Sequence, residues 1–171
     1  ARALYEFEIR QRFHATSSDT EVKDVVKRFN CYGYTLCGDE SKIMTDLWKA
    51  AGLKVRRGYP NGHSTVEVYY NDQWHLMDSD ESIICLLRDN ETIASEAQIV
   101  RDHDLMKRTH TYGPLHDENR MRDEMSAALH FYEGEREGGY KSYTTHTMDF
   151  ELRPNESITW SWNAGNRYHS S

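Results

Sequence analysis

With 171 residues, 37% of them apolar, and a formal charge of −7, the chain has the size of one domain and the surface of a well-solvated one. The acidic balance argues against a nucleic-acid partner, because phosphate backbones are bound by clustered Lys and Arg. No apolar run approaches the roughly 18 residues of a membrane span, so none is expected. No signal peptide is visible, and a first residue of Ala1 leaves both the compartment and membership of a longer protein open.

Residues 1–15 read two ways. Tyr5, Phe7 and Ile9 alternate as in a strand, whereas Ala3, Leu4 and Phe7 in a charged surround suit a helix, the reading preferred. Residues 16–20 form a polar connection, with Asp19 as N-cap of a short helix over Val22, Val25, Val26 and Phe29. Residues 30–36 read as a loop centred on Gly33. Met44, Leu47, Trp48 and Ala51 then recur at helical offsets, which predicts a helix over 38–51 that stops at Gly52. Counting back along that stripe puts Ser41 and Cys37 on the same face, with Cys37 in the first turn.

Residues 53–59 read as a strand and Pro60-Asn61-Gly62 as a turn. Residues 63–70 alternate, Asn71-Asp72 interrupts, and 73–78 resumes, which predicts a β-hairpin. A short strand over 83–87 and a helix over 92–108 follow. Beyond them the pattern gives a loop over 110–124, a short helix over 125–132 and a charged, Gly-rich linker over 133–139. A C-terminal hairpin is read around Arg153-Pro154-Asn155, with strands at 147–152 and 157–162.

The three cysteines, Cys31, Cys37 and Cys85, are an odd number without a C-x-x-C pair, so neither a disulfide framework nor a thiolate zinc site is expected. A cysteine at a helix start meets unpaired N–H groups and partial positive charge, which favour a thiolate. Taken alone, Cys37 reads more readily as a small, inert buried residue that starts a helix. A nucleophile needs a base and a group to orient the base, and the hairpin can supply both. With a two- or four-residue loop, His63 falls opposite Asp80 and Asp78 opposite Thr65, all on one face. With a three-residue loop the parity changes and Ser79 faces His63. Periodicity thus allows a His–carboxylate pair without choosing between the two aspartates. Trp74 reads as core, and Tyr32, Tyr34, Tyr69 and Tyr70 as half-buried positions. His103, His110 and His116 share no spacing that would make a metal site.

The order Cys37-Gly38, Ala51-Gly52-Leu53, Gly62-His63-Ser64-Thr65-Val66-Glu67-Val68-Tyr69 and Trp74-His75-Leu76-Met77-Asp78 resembles the transglutaminase-like superfamily. The stretch Asn30-Cys31-Tyr32-Gly33-Tyr34 is similar to a bacterial subgroup of it. The resemblance spans about residues 30–80. It implies an α+β fold with a papain/transglutaminase-like core, in which N-terminal helices and a nucleophile-bearing helix pack on an antiparallel β-sheet. One domain over 1–171 is expected, its core at about 16–110 and residues 133–171 a peripheral β-hairpin extension. By the same resemblance Cys37 is the nucleophile, His63 the base and Asp78 the orienting carboxylate, while Cys31 lies too early for the first role. The implied chemistry is cysteine-dependent acyl transfer or amide hydrolysis through a thioester, on a peptide, protein or other amide substrate, with no metal or organic cofactor required. The Cys37 N–H would be one oxyanion donor, the second coming from the 30–36 loop. The alternative is a catalytically silent binding or scaffold module within a larger protein.

Overall fold

A computed structural model of the chain describes residues 1–16, 20–111, 134–147 and 154–155. The N-terminal segment is helical: α1 (Arg2–Ile9) buries Tyr5, Glu8 and Ile9 and carries an exposed Arg2–Glu6 pair one turn apart (2.8 Å). The strand-like alternation of Tyr5, Phe7 and Ile9 is incidental, since Tyr5 and Ile9 share a face at helical spacing while Phe7 is exposed. A two-residue strand follows, β1 (Phe13–His14). Residue 19, the expected N-cap, lies outside the described residues. Within them the cap is Asp24, which accepts from the Lys27 N–H (3.2 Å) and opens the single turn α2 (Val25–Lys27) after a 3₁₀ turn over Thr20–Lys23.

The stretch expected to be loop before Cys37 is more ordered than its composition suggests. A π-helical turn over Arg28–Tyr32 ends at Gly33, whose left-handed φ of 72° suits glycine, and β2 (Tyr34–Thr35) then pairs parallel with β1. Buried Arg28 accounts for this order: it donates to the Glu8 carboxylate and to the Gln11 carbonyl (3.1 Å), tying the turn to α1.

The helix α3 (Cys37–Ala50) begins at Cys37 and is followed by Gly52 at φ 77°, as the stripe and terminator predict. Next comes β3 (Lys54–Gly58), then a hairpin of β4 (Thr65–Tyr70) and β5 (Gln73–Leu76). Its turn has two residues, Asn71 and Asp72, both left-handed (φ 48° and 61°), the type I′ geometry that matches strand twist. This fixes the register, Tyr70 opposite Gln73 and Glu67 opposite Leu76. β6 (Ile83–Cys85) is followed by α4 (Glu96–Arg101), with a Ser95–Gln98 capping box, by a 3₁₀ turn over His103–Arg108 and by β7 (Thr109–Thr111). The helix expected over 92–108 is therefore shorter, because Ala94 donates to the Cys85 carbonyl and accepts from the Leu76 N–H, so its stretch is extended.

Residues 135–137, expected within a linker, form β8 (Glu135–Glu137), antiparallel to β3 with Gly58 opposite Glu135. The result is a mixed α+β architecture around a four-stranded antiparallel sheet of order β5-β4-β3-β8. The expected helix over 125–132 and the strands of the C-terminal hairpin lie outside the described residues, apart from a turn at Pro154–Asn155 and the coil up to residue 147. One sheet face carries Val55, Val66 and Val68 against Met44 and Trp48 of α3 and Tyr5 and Ile9 of α1. The other carries Thr65 and Glu67 toward α4, while a second cluster joins Leu76, Ile83 and Cys85 to Ile99, Leu105 and Met106.

Gly58 is where sheet and α4 come closest: a Cβ there would lie 1.8 Å from Oε2 of Glu96. Gly58→Ala is expected to lower stability by about 1–3 kcal/mol through overpacking. In urea denaturation this should appear as a lower midpoint at unchanged slope.

Candidate active site

Cys37 is half-buried and opens α3 directly after Leu36, whose extended backbone (φ −115°, ψ 170°) lets its carbonyl accept from the N–H groups of Asp39 (3.0 Å) and Glu40 (2.9 Å). One turn further, Ser41 Oγ donates to the Ser64 carbonyl (2.7 Å). That bond fastens the start of α3 to the residue after His63, and it is why a helix and a hairpin distant in sequence meet at these side chains.

His63 lies just ahead of β4, behind the turn containing Gly62 (φ 72°). Its Nε2 is 2.6 Å from Asp78 Oδ2, and the two side chains are only 9% and 3% exposed. The other Asp78 oxygen, Oδ1, accepts from the N–H groups of Asp80 (2.9 Å) and Glu81 (3.0 Å). The hairpin ladder ends at Leu76, and Asp78 instead exchanges both backbone hydrogen bonds with Ile83 (3.0 and 2.9 Å) across a tight turn containing Ser82 at φ 57°. The turn decides what strand parity left open: Asp78 is the imidazole's partner. Asp80 also comes close: Cys37 Sγ, a His63 ring nitrogen and an Asp80 carboxylate oxygen lie within 4.8 Å of one another. The His63 side chain thus touches both the Asp78 carboxylate and the Cys37 thiol.

Burial alone would pull the His63 pKa down. The charge and hydrogen bond of Asp78, with smaller contributions from Cys37 and Asp80, outweigh it and hold the imidazole well above its ordinary 6.5. For Asp78 burial pushes up, while His63, the Glu81 N–H and Arg12 pull its carboxyl below the ordinary 3.8. Both shifts favour the charged forms, an imidazolium beside a carboxylate.

Several site neighbours gave no signal in the sequence. Buried Arg12 donates from Nε (3.0 Å) and Nη2 (2.5 Å) to the Ser79 carbonyl and from Nη2 to the Asp80 carbonyl, with Nη1 3.5 Å from Asp80 Oδ1 and Nε 3.8 Å from Glu40 Oε2. His14 Nδ1 lies 3.1 Å from Asp80 Oδ1, which raises the His14 pKa. Thr35 Oγ1 donates to Glu40 (2.8 Å), and the Tyr140 hydroxyl meets the Ser64 side chain. The proline and glycine of the turn before His63 announced a bend, but nothing in residues 10–14 announced that an arginine there would be buried. Trp74, read as core, is half-buried on β5 with Arg56 over its ring (4.5 Å) and Tyr69 packed edge-on (5.1 Å). Cys31 is exposed and Cys85 is buried against Met106.

No family model, no curated protein and no solved structure matches this chain.

Two outcomes follow from these contacts. Arg12→Met would leave the buried Asp80 and Glu40 carboxylates without their cation, and a loss of about 3–5 kcal/mol is expected in chemical denaturation. Because the folded pKa of His63 is raised, its stabilising contribution is full below 6.5 and is lost as pH rises through the folded value. That of Asp78 is present above 3.8 and is lost as pH falls through its lowered value. An NMR titration of the His63 ring should give a midpoint above 6.5 that drops in Asp78→Asn; a midpoint at or below 6.5 in the unsubstituted chain would contradict the ion pair.

Proposed function

We propose that the chain is a cysteine-dependent acyl-transfer or amide-hydrolysing enzyme of transglutaminase-like type, on a papain-like arrangement of helix and sheet, with Cys37 as nucleophile, His63 as acid–base group and Asp78 as its orienting carboxylate. The observation that carries this reading is that His63 meets Asp78 Oδ2 through Nε2 at 2.6 Å while a nitrogen of the same ring lies within 4.8 Å of the Cys37 sulfur. An imidazole needs an oriented tautomer to serve a nucleophile, and a carboxylate on the far nitrogen supplies one.

In the first half-reaction the Cys37 sulfur forms a bond to the carbonyl carbon of the substrate amide. The carbon–nitrogen bond then breaks, and the amine leaves with the proton held by His63. In the second, water or a second amine gives a proton to His63 and attacks the thioester. The carbon–sulfur bond breaks, and the thiolate is restored beside the imidazolium. N–H groups at the start of a helix have no partner within it, which supports the Cys37 N–H as a donor to the developing oxyanion.

The competing reading, a silent binding module, predicts different thiol behaviour. If solvent access alone governed reactivity, exposed Cys31 would react fastest and buried Cys85 slowest. Alkylation by iodoacetamide near neutral pH, read residue by residue by mass spectrometry, is instead expected to modify Cys37 first, with His63→Ala removing the difference. Faster or equal labelling of Cys31 would sink the enzyme reading. Against a panel of peptide amides and esters, with hydroxylamine as acyl acceptor, His63→Ala is expected to cost on the order of 10²–10⁴-fold in rate, and Cys37→Ala should abolish the thioester.

A further inference from the structure

We propose that Cys37, His63 and Asp80 form a binding site for a thiophilic divalent cation of the zinc class, so that metal and acyl group compete for one sulfur. The donor set is a thiol sulfur, an imidazole nitrogen and a carboxylate oxygen, mutually within 4.8 Å. Zinc bonds of about 2.3 Å to sulfur and about 2.0–2.2 Å to nitrogen and oxygen place tetrahedral donors roughly 3.3–3.6 Å apart. Contraction by about an ångström, within the reach of side-chain torsions, closes three corners and leaves the fourth to water. Thiolate and carboxylate together balance a divalent charge, and the imidazole binds as the neutral ligand. A sulfur–nitrogen–oxygen set selects zinc over magnesium or calcium, which require oxygen donors.

Two further observations point to an ion. Asp80 is 2% exposed, and its Oδ2 has no hydrogen-bond partner among the described residues, so a buried carboxylate oxygen stands unsatisfied in the cluster. The outer contacts are also those that metal ligands use: His63 has a carboxylate on Nε2 at 2.6 Å, and Asp80 has His14 and Arg12 on Oδ1 at 3.1 and 3.5 Å, leaving Oδ2 unpaired. Asp78 orients the same imidazole for either partner, and Asp80, which the acyl-transfer steps do not use, becomes the residue that distinguishes them.

Ion binding itself does not depend on Cys37 being a catalytic nucleophile; only its consequence, a blocked acyl transfer, rests on the proposed function. The experiment therefore reads the two separately. The reduced full chain, carrying Cys31→Ser to remove the exposed thiol, is titrated with ZnCl₂ by calorimetry and with CoCl₂ by absorption. One ion per chain is expected, with a sulfur-to-cobalt charge-transfer band that Cys37→Ser abolishes. Asp80→Asn, which keeps an acceptor for His14, is expected to weaken zinc at least tenfold, with folding checked by circular dichroism. Should that variant not fold, the unsubstituted chain still decides: zinc should protect Cys37 from iodoacetamide and magnesium should not. No stoichiometric binding, a cobalt band that survives Cys37→Ser, undiminished affinity in folded Asp80→Asn, or zinc without effect on Cys37 labelling would each overturn the site. Zinc binding in a chain that forms no thioester would uphold the site and overturn only the enzyme.

Discussion

The carboxylate of Asp78 is shared between the fold and the site. One oxygen accepts two backbone N–H groups of the turn that follows, and the other meets the His63 ring. Its own backbone closes that turn through a double hydrogen bond with Ile83. A buried charge is tolerated only when its lone pairs are engaged, and here the groups that engage them belong to different elements. The turn therefore cannot open without orphaning a charge, and the imidazole cannot rotate without doing the same. Rigidity at the proposed base is thus a by-product of the desolvation penalty rather than of dense apolar packing.

The same logic runs through the surrounding layer. Glu8 pairs with Arg28, Arg12 reaches Asp80 and Glu40, and Arg56 donates to Glu67 at 2.6 Å. Glu96 makes no ion pair among the described residues: burial first, and then the charge of Glu67, push its carboxyl up to about 8, and the Thr65 hydroxyl donates to it. Buried pairs of this kind add little net stability compared with apolar substitutes. Their effect here is geometric. Those of Arg28 and Arg12 join segments far apart in the chain, and together they fix where the N-terminal residues lie relative to the turn that carries Asp78 and Asp80.

What could be read from the sequence was what local chemistry encodes. The helix stripe of α3 and its glycine stop were legible, and so was the hairpin, because Asn71 and Asp72 tolerate the left-handed conformation that the turn demands. Cys37, His63 and Asp78 were named, and they meet in space. The choice between Asp78 and Asp80 was not legible in the periodicity and came from the family resemblance alone. It depends on where the ladder stops, and a period of two cannot say where a chain leaves its strand. Arg12 was invisible because its acceptors are the main-chain carbonyls of Ser79 and Asp80, which have no sequence signature. Residues 135–137 were misread for a related reason: Glu135-Arg136-Glu137, with Gly134 and Gly138 either side, has the composition of a linker, yet charge is also what sheet edges carry.

That edge strand bears on how the molecule assembles. The β3–β4–β5 meander can form early from near neighbours in the chain, whereas its remaining edge must wait for a segment from far downstream, at a cost in loop-closure entropy. Until β8 docks, β3 offers an unpaired row of backbone donors and acceptors to any other extended chain. Arg56 and Arg57 put positive charge on both faces of that strand, which disfavours pairing of two such edges. Docking then brings Glu135 to 3.2 Å from Arg56 and sets Gly139 so close to Val55 and Thr45 that no side chain fits between them. Arg56, a charge on the open edge before docking, thereby becomes part of the selectivity of the final strand pairing.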